Sequence, residues 1–286
     1  MDLLIPSLID GLLLGFVYGI AAMGLTLIWG VMNVINLAHG AIMALGMFGV
    51  YLFFTYIGIH PYIALFLVAG LGLLLGIVIY FIAVNRVIDE PHLSSLLSTF
   101  AVNMIIIGLG TAVFSASPRN VDFSMGSFTA GPVTILGTRV MAAVMSIAVT
   151  GGLYLFLYRS RNGRYVRAVA NNRDAAELMG VPSTRILGLS FGIGTMLAAI
   201  AGALIATFFP FTILAGGTYE LKSFIIGVLG GLGNPVGALL AGLILGGIEG
   251  IIPAFLPTTW VPILEFVFFV LILLFRPQGL FGGDKS

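Results

Sequence analysis

The run Arg164-Tyr-Val-Arg-Ala-Val-Ala-Asn-Asn-Arg-Asp-Ala-Ala-Glu-Leu-Met-Gly-Val-Pro182 is a polar interruption in an otherwise oily chain. Six of the twelve Lys and Arg residues fall between Arg159 and Arg185. Apolar runs at about 138–158 and 185–209 flank it, each long enough to span a bilayer. A short helix is predicted inside the interruption, over about 171–180. Asn171 is placed to cap its start, and Asp174 to reach back as in a capping box. Gly180 supplies the left-handed position after its end, and Pro182 stops it from continuing. About two and a half turns are too few to stand alone in water. Ala175, Leu178 and Met179, at i, i+3 and i+4, therefore need a surface to dock on. The plainer reading is a basic loop that only sets topology.

Composition places this loop in a membrane protein. The chain of 286 residues is 59% hydrophobic and 8% charged, with a mean hydropathy of +1.15. A soluble domain carries about 25% charged residues, so this chain lacks the polar side chains to cover a water-facing surface. Long apolar runs make it helical rather than a barrel. The expected fold class is an all-α integral membrane protein, a polytopic helical bundle forming a single transmembrane domain over 1–286. With no Cys, disulfides and thiolate metal sites are excluded. The start Met-Asp-Leu-Leu-Ile-Pro has no basic n-region, so no removable signal peptide is expected. The net charge of +1 gives no reason to invoke nucleic acid.

Apolar runs fall at about 7–30, 33–56, 61–84, 93–115, 138–158, 185–209, 221–233, 235–253 and 260–275. That predicts about eight to nine transmembrane helices. The run at 221–233 is shorter than the roughly 20 residues a span needs, which suggests a re-entrant segment or one half of a broken helix. The positive-inside rule places 159–185 in the cytoplasm. Arg86 and the tail with Arg276 and Lys285 then also lie inside, 116–137 lies outside, and nine crossings put the amino terminus outside.

Glycines recur within the spans, as at Gly11, Gly15 and Gly19, a spacing that lets helix backbones approach closely in lipid. Two stretches carry more. Asn33-Val-Ile-Asn36-Leu-Ala-His39-Gly40 precedes Ala41 and Ala44, and Gly231-Leu-Gly-Asn234-Pro-Val-Gly237 precedes Ala238 and Ala241. Their matching offsets form a weak internal repeat, as in many transporters. Polar groups beside helix-weakening Gly or Pro at membrane depth belong where backbone is buried or lines a cavity. Asn33, Asn36, His39, Gly40, Asn103, Gly231 and Asn234 are therefore candidates to line a substrate pathway. Interhelical hydrogen bonding, worth about 0.6 kcal/mol on average in membranes, is the bland alternative for each polar side chain.

Glu249 and Glu265 are expected near the outer span ends, and Glu220 and Lys222 are expected to be exposed interfacial charges. Carboxylates at the edges argue against ion coupling. No catalytic constellation, cofactor motif or metal-ligand spacing is found, and no phosphate-binding loop occurs.

Asp174-Ala175-Ala176-x-x-x-Gly180 resembles the Glu-Ala-Ala-x-x-x-Gly loop of ABC importer permeases, with Asp in place of Glu. The longer run Arg167-Ala168-x-x-x-Asn172-x-x-Ala175-Ala176-x-Leu178-x-Gly180-Val181 resembles branched-chain amino acid permeases of the LivH type. Asn36-Leu-Ala-His39-Gly40 and Gly230-Gly231-x-Gly233 are similar to characteristic sequences of that family, so the resemblance covers nearly the whole chain. It implies a type II importer-like permease subunit in a bacterial inner membrane, with a periplasmic amino terminus and a cytoplasmic carboxyl terminus. Two cytoplasmic ABC ATPases, a periplasmic binding protein and a second homologous permease, or a second copy, are the implied partners. Arg167, Ala168, Asn171, Asn172, Asp174, Ala175, Ala176, Leu178, Met179 and Gly180 would then form or support the coupling helix. The implied cargo is Leu, Ile or Val. Alternatives are urea, short amides or other amino acids within the fold. Outside it stand an ion-coupled carrier acting alone and a non-transporting scaffold.

Overall fold

The computed structural model describes residues 4–130 and 133–282. In chain order its elements are α1 (Leu4–Met32), α2 (His39–Ile57), α3 (Pro61–Ile79, continued by a π turn at Tyr80–Val84) and α4 (His92–Phe114). A hairpin of β1 (Ser127–Ala130) and β2 (Val133–Leu136) follows, then α5 (Gly137–Arg159), α6 (Arg161–Asn171) and α7 (Arg173–Leu178). The chain finishes with α8 (Ser183–Ala206), α9 (Gly216–Leu229), α10 (Pro235–Ile251) and α11 (Val261–Phe275). Among the described residues, eight helices are long and apolar enough to cross a membrane, the last two counted with their short 3₁₀ turns. The fold is the polytopic helical bundle the composition demands.

α1 and α8 are the axis of the bundle. Their apolar windows are 83% and 89% buried in the protein, against 11% for α4 and for α11 on the perimeter. The reason lies in side-chain size. Hydrocarbon gains nothing by leaving lipid for other hydrocarbon, so inner contacts rely on close backbone approach. Gly11 and Gly15 of α1 lie against Gly246 and Gly242 of the antiparallel α10. A Cβ at Gly15 would sit 2.7 Å from the Gly242 carbonyl oxygen. The four-residue glycine spacing in the sequence is thus the α1–α10 seam.

The short segment resolves as half a helix. α9 has 14 residues, about 21 Å, starts earlier than its hydropathy suggests, and does not reach across a ~30 Å layer. Residues 207–215, irregular apart from a 3₁₀ turn at Ile213–Ala215, complete the crossing. At one end Phe211 pairs with Arg119, which follows α4. At the other, the Leu280 amide beyond α11 donates to the Leu229 carbonyl at 2.7 Å. The chain therefore passes nine times between the ends of the bundle, and the two ends of the described chain lie at opposite ends of it.

The hairpin was not foreseen. Its four pairs, Ser127↔Leu136 through Ala130↔Val133, close the connection between α4 and α5.

Candidate coupling helix and interior cavity

The basic loop folds into two helices rather than one. Ser160 caps α6 by accepting the Gly163 amide at 2.8 Å, and Val166 and Val169 turn inward one turn apart. Ser160 followed by Val166 and Val169 was the legible signal for this helix. Arg167 is held close to the bundle, donating to the Leu157 carbonyl at 3.2 Å with its guanidinium 4.6 Å from the Tyr158 ring centroid. Ala168 and Asn171 lie on the exposed side of α6.

The cap of the following helix lies one residue later than the sequence suggests. Asn172, not Asn171, caps α7, its Oδ1 accepting the Ala175 amide at 2.9 Å. Asn171 is the last residue of α6, so its backbone is already committed to that helix. Asp174 occupies the first turn of α7, where its charge favours the positive helix end, and makes no capping box. The C-terminal end has the expected form. Gly180 has φ +80°, its amide bonds the Glu177 carbonyl, and the Val181 amide bonds the Ala176 carbonyl, a Schellman closure.

α7 is tied down from three sides. Arg173 pairs with Asp89 at 2.7 Å and with Glu177 at 3.2 Å, and the Ser183 hydroxyl donates to Glu177. The Ser183 hydrogen bond, followed by Arg173, holds the Glu177 carboxyl below the usual carboxylate range. Ala176 is buried, whereas Leu178 and Met179 are 89% and 85% exposed. Ala175, Leu178 and Met179 thus form an apolar tip on a pinned helix.

A second feature lies inside the bundle. Asn33, the residue after α1, turns the chain with φ +53° and is itself exposed. The return strand is held by Thr99, whose hydroxyl donates to the Ile35 carbonyl at 3.0 Å and accepts the Leu37 amide at 3.2 Å. Buried irregular backbone survives in a membrane only when bonded in this way. α2 then starts in the interior, with Gly40 packed on Gly216, the first residue of α9. Two helix amino ends meet there, each carrying partial positive charge.

His39 is completely buried, and its ring nitrogens lack a hydrogen-bond partner of normal geometry, the Ala21 backbone being the polar group nearby. Asn36 is 1% exposed; its Oδ1 accepts the Ala38 amide at 3.1 Å and its Nδ2 has no partner among the described residues. Asn36 and Glu220 line one cavity of about 370 Å³ with Leu25, Leu96, Leu221 and Phe224. Asn36 lines this cavity and Gly40 abuts Glu220 beside it, whereas His39 is not among the lining residues. Glu220 is not an interfacial charge, because α9 begins inside the bundle and carries it there.

The remaining pathway candidates lie apart. Asn103 is one turn beyond Thr99 on α4 and does not line this cavity, though its Oδ1 is buried without a partner. Gly231 has φ +85° and packs on the Gly282 backbone, and Asn234 caps α10 by accepting the Gly237 amide at 3.0 Å. Both belong to the α9–α10 turn.

Lys222 also departs from expectation. It is 12% exposed in its side chain and pairs with Glu249 at 2.6 Å and with Glu265 at 3.2 Å. Glu265, close to the start of α11 and so near a span end, is 2% exposed and buried against Lys222. A vestibule of about 460 Å³ adjoins Lys222 and Glu249 and includes Asp10 and Arg139, themselves paired at 2.6 Å. No group of three metal-ligating side chains occurs among the described residues.

Comparison with known proteins places this architecture. The chain is 28% identical over 299 aligned residues to the high-affinity branched-chain amino acid transport system permease protein LivH of Salmonella typhimurium, covering 98% of this chain and 96% of that protein. It is 29% identical to the corresponding BraD protein of Pseudomonas aeruginosa, with the same coverages. The ribose import permease protein RbsC of Escherichia coli is 27% identical over 64% of this chain and 57% of its own length. No solved structure gives a significant match. The family described as branched-chain amino acid transport system, permease component, matches residues 7–275, and the chain belongs to that family.

Proposed function

We propose that this chain is a permease subunit of an ATP-driven ABC importer that moves Leu, Ile or Val. A periplasmic binding protein delivers the amino acid, and a second permease, either a homologue or another copy of this chain, completes the passage. Two cytoplasmic ATPases supply the energy, gripping α7 from the side of the basic loop. The amino terminus is periplasmic and the carboxyl terminus cytoplasmic in a bacterial inner membrane.

One observation carries this reading. Leu178 and Met179 are large, apolar and almost fully exposed on a six-residue helix fixed by capping, ion pairs and a Schellman turn. An exposed apolar tip rimmed by polar residues is the mark of a docking site, which a groove on a soluble partner would cover. A pinned helix transmits displacement, because α7 leads directly into α8 at the bundle axis.

The test is uptake of labelled leucine into proteoliposomes holding the permeases, the ATPases and the loaded binding protein. Uptake should require ATP, and Met179→Arg should insert normally yet lose ATPase retention and uptake by roughly tenfold or more. Undiminished ATP-driven uptake by that variant would sink the coupling role. Uptake by this chain alone under a proton gradient would favour a carrier instead.

A further inference from the structure

Four carboxylates lie inside the bundle among the described residues, and three of them have cations. Asp10 pairs with Arg139, and Glu249 and Glu265 share Lys222. Glu220 has no cation within ion-pair distance among the described residues. An ionisable side chain in the membrane layer is costly to keep and in general marks the route of a ligand. Its surroundings define what that ligand must be.

Glu220 faces the cavity it shares with Asn36, whose buried Nδ2 points to no acceptor among the described residues. Gly217, in the first turn of α9, also borders the cavity. The site thus offers one carboxylate and one side-chain hydrogen-bond donor. Leu25, Leu96, Leu221 and Phe224 make the remaining wall hydrocarbon. At about 370 Å³ the space falls in the ~300–1,000 Å³ range of small-molecule sites. A sugar would leave most of its hydroxyls unpaired against such a wall, and a purely apolar molecule would leave Glu220 without a cation and Asn36 Nδ2 without an acceptor.

We propose that this cavity holds the transported molecule as a zwitterion with a branched aliphatic side chain. Its ammonium group pairs with Glu220, its carboxylate accepts from Asn36 Nδ2, and its hydrocarbon packs among the leucines and Phe224. This assignment rests on the permease reading and adds to it the residues that recognise the cargo.

The experiment uses the assembled importer in lipid nanodiscs with a leucine analogue bearing a photoreactive diazirine in its side chain, supplied on the binding protein. Irradiation should place the label on α9 between Leu221 and Phe224, or on Leu25 or Leu96, and excess leucine should remove it. Glu220→Gln should lower labelling about tenfold or more, the loss expected for a charge-assisted hydrogen bond. Labelling that stays undiminished in Glu220→Gln, or that maps to the vestibule beside Asp10 and Arg139, would overturn the assignment. Leucine should also slow alkylation of a Leu221→Cys variant at least severalfold, and an unchanged rate would count against the site even if Glu220→Gln failed to assemble. Failure of the unmodified importer to take up leucine with ATP is a different result, which would sink the permease reading itself.

Discussion

Gly40 and Gly216 meet backbone to backbone at the first turns of α2 and α9, and a Cβ on either would overlap the carbonyl oxygen of the other. This contact fixes two helix amino ends inside the bundle, beside Glu220. Alanine at either position forces the helices apart, and overpacking of this kind costs about 1–3 kcal/mol. Gly40→Ala and Gly216→Ala should therefore lower the thermal midpoint of the purified permease. Gly108→Ala, on α4 with no atom near its added methyl, should leave that midpoint unchanged or raise it slightly.

The cap of α7 gives a graded test of the coupling helix. Asn172→Ala removes the acceptor for the Ala175 amide and should cost about 0.5–2 kcal/mol of local helix stability. Asn171→Ala removes no cap and should cost less. Gly180→Ala must hold a side chain at φ +80°, a penalty of about 1–2 kcal/mol. Hydrogen exchange of the α7 amides should speed up in the order Asn171→Ala, then the other two. ATPase retention should fall in the same order.

Much of this fold was legible because membrane helices announce themselves by length and composition. The span limits, the glycine seam, the half-length segment and the left-handed Gly180 all follow from local rules. What sequence alone concealed depends on where the chain sits in depth. Glu220 and Lys222 look interfacial until α9 is seen to begin beside Gly40, inside the protein. Nothing local to Glu265 shows that Lys222, 43 positions earlier, arrives to pair with it. The β hairpin escaped because its alternation is brief and follows an irregular stretch. Asn171 and Asn172 are adjacent and chemically identical, so only the end of α6 decides which of them caps α7.

Orientation is open to direct chemistry, because the chain contains no cysteine and an introduced thiol is unique. Ser127, in β1, and Asn162, in the first turn of α6, are both exposed. The positive-inside rule sets Asn162 in the cytoplasm. An impermeant maleimide added to intact cells should label Ser127→Cys and spare Asn162→Cys until the membrane is opened. Gly163 is unsuited to this purpose, because a side chain there would run into the Phe156 and Leu157 backbone. The reverse labelling pattern would invert the topology and place α7 in the wrong compartment for an ATPase.

The Lys222 cluster separates the cost of losing a partner from the cost of losing a pair. Lys222→Gln strands Glu249 and Glu265 together in the bundle with no cation beside them. Removing one partner of a buried ionic group typically costs about 3–5 kcal/mol, whereas replacing the whole group is far milder. Lys222→Gln should therefore lower the thermal midpoint sharply. Adding Glu249→Gln and Glu265→Gln to it should restore most of the loss, since amides need hydrogen bonds but no counter-charge. If the triple variant is no more stable than Lys222→Gln alone, stranded charge is not the source of the instability, and loss of the cation–π contact with Tyr18, whose ring centroid lies 5.0 Å from the lysine ammonium, would account for it.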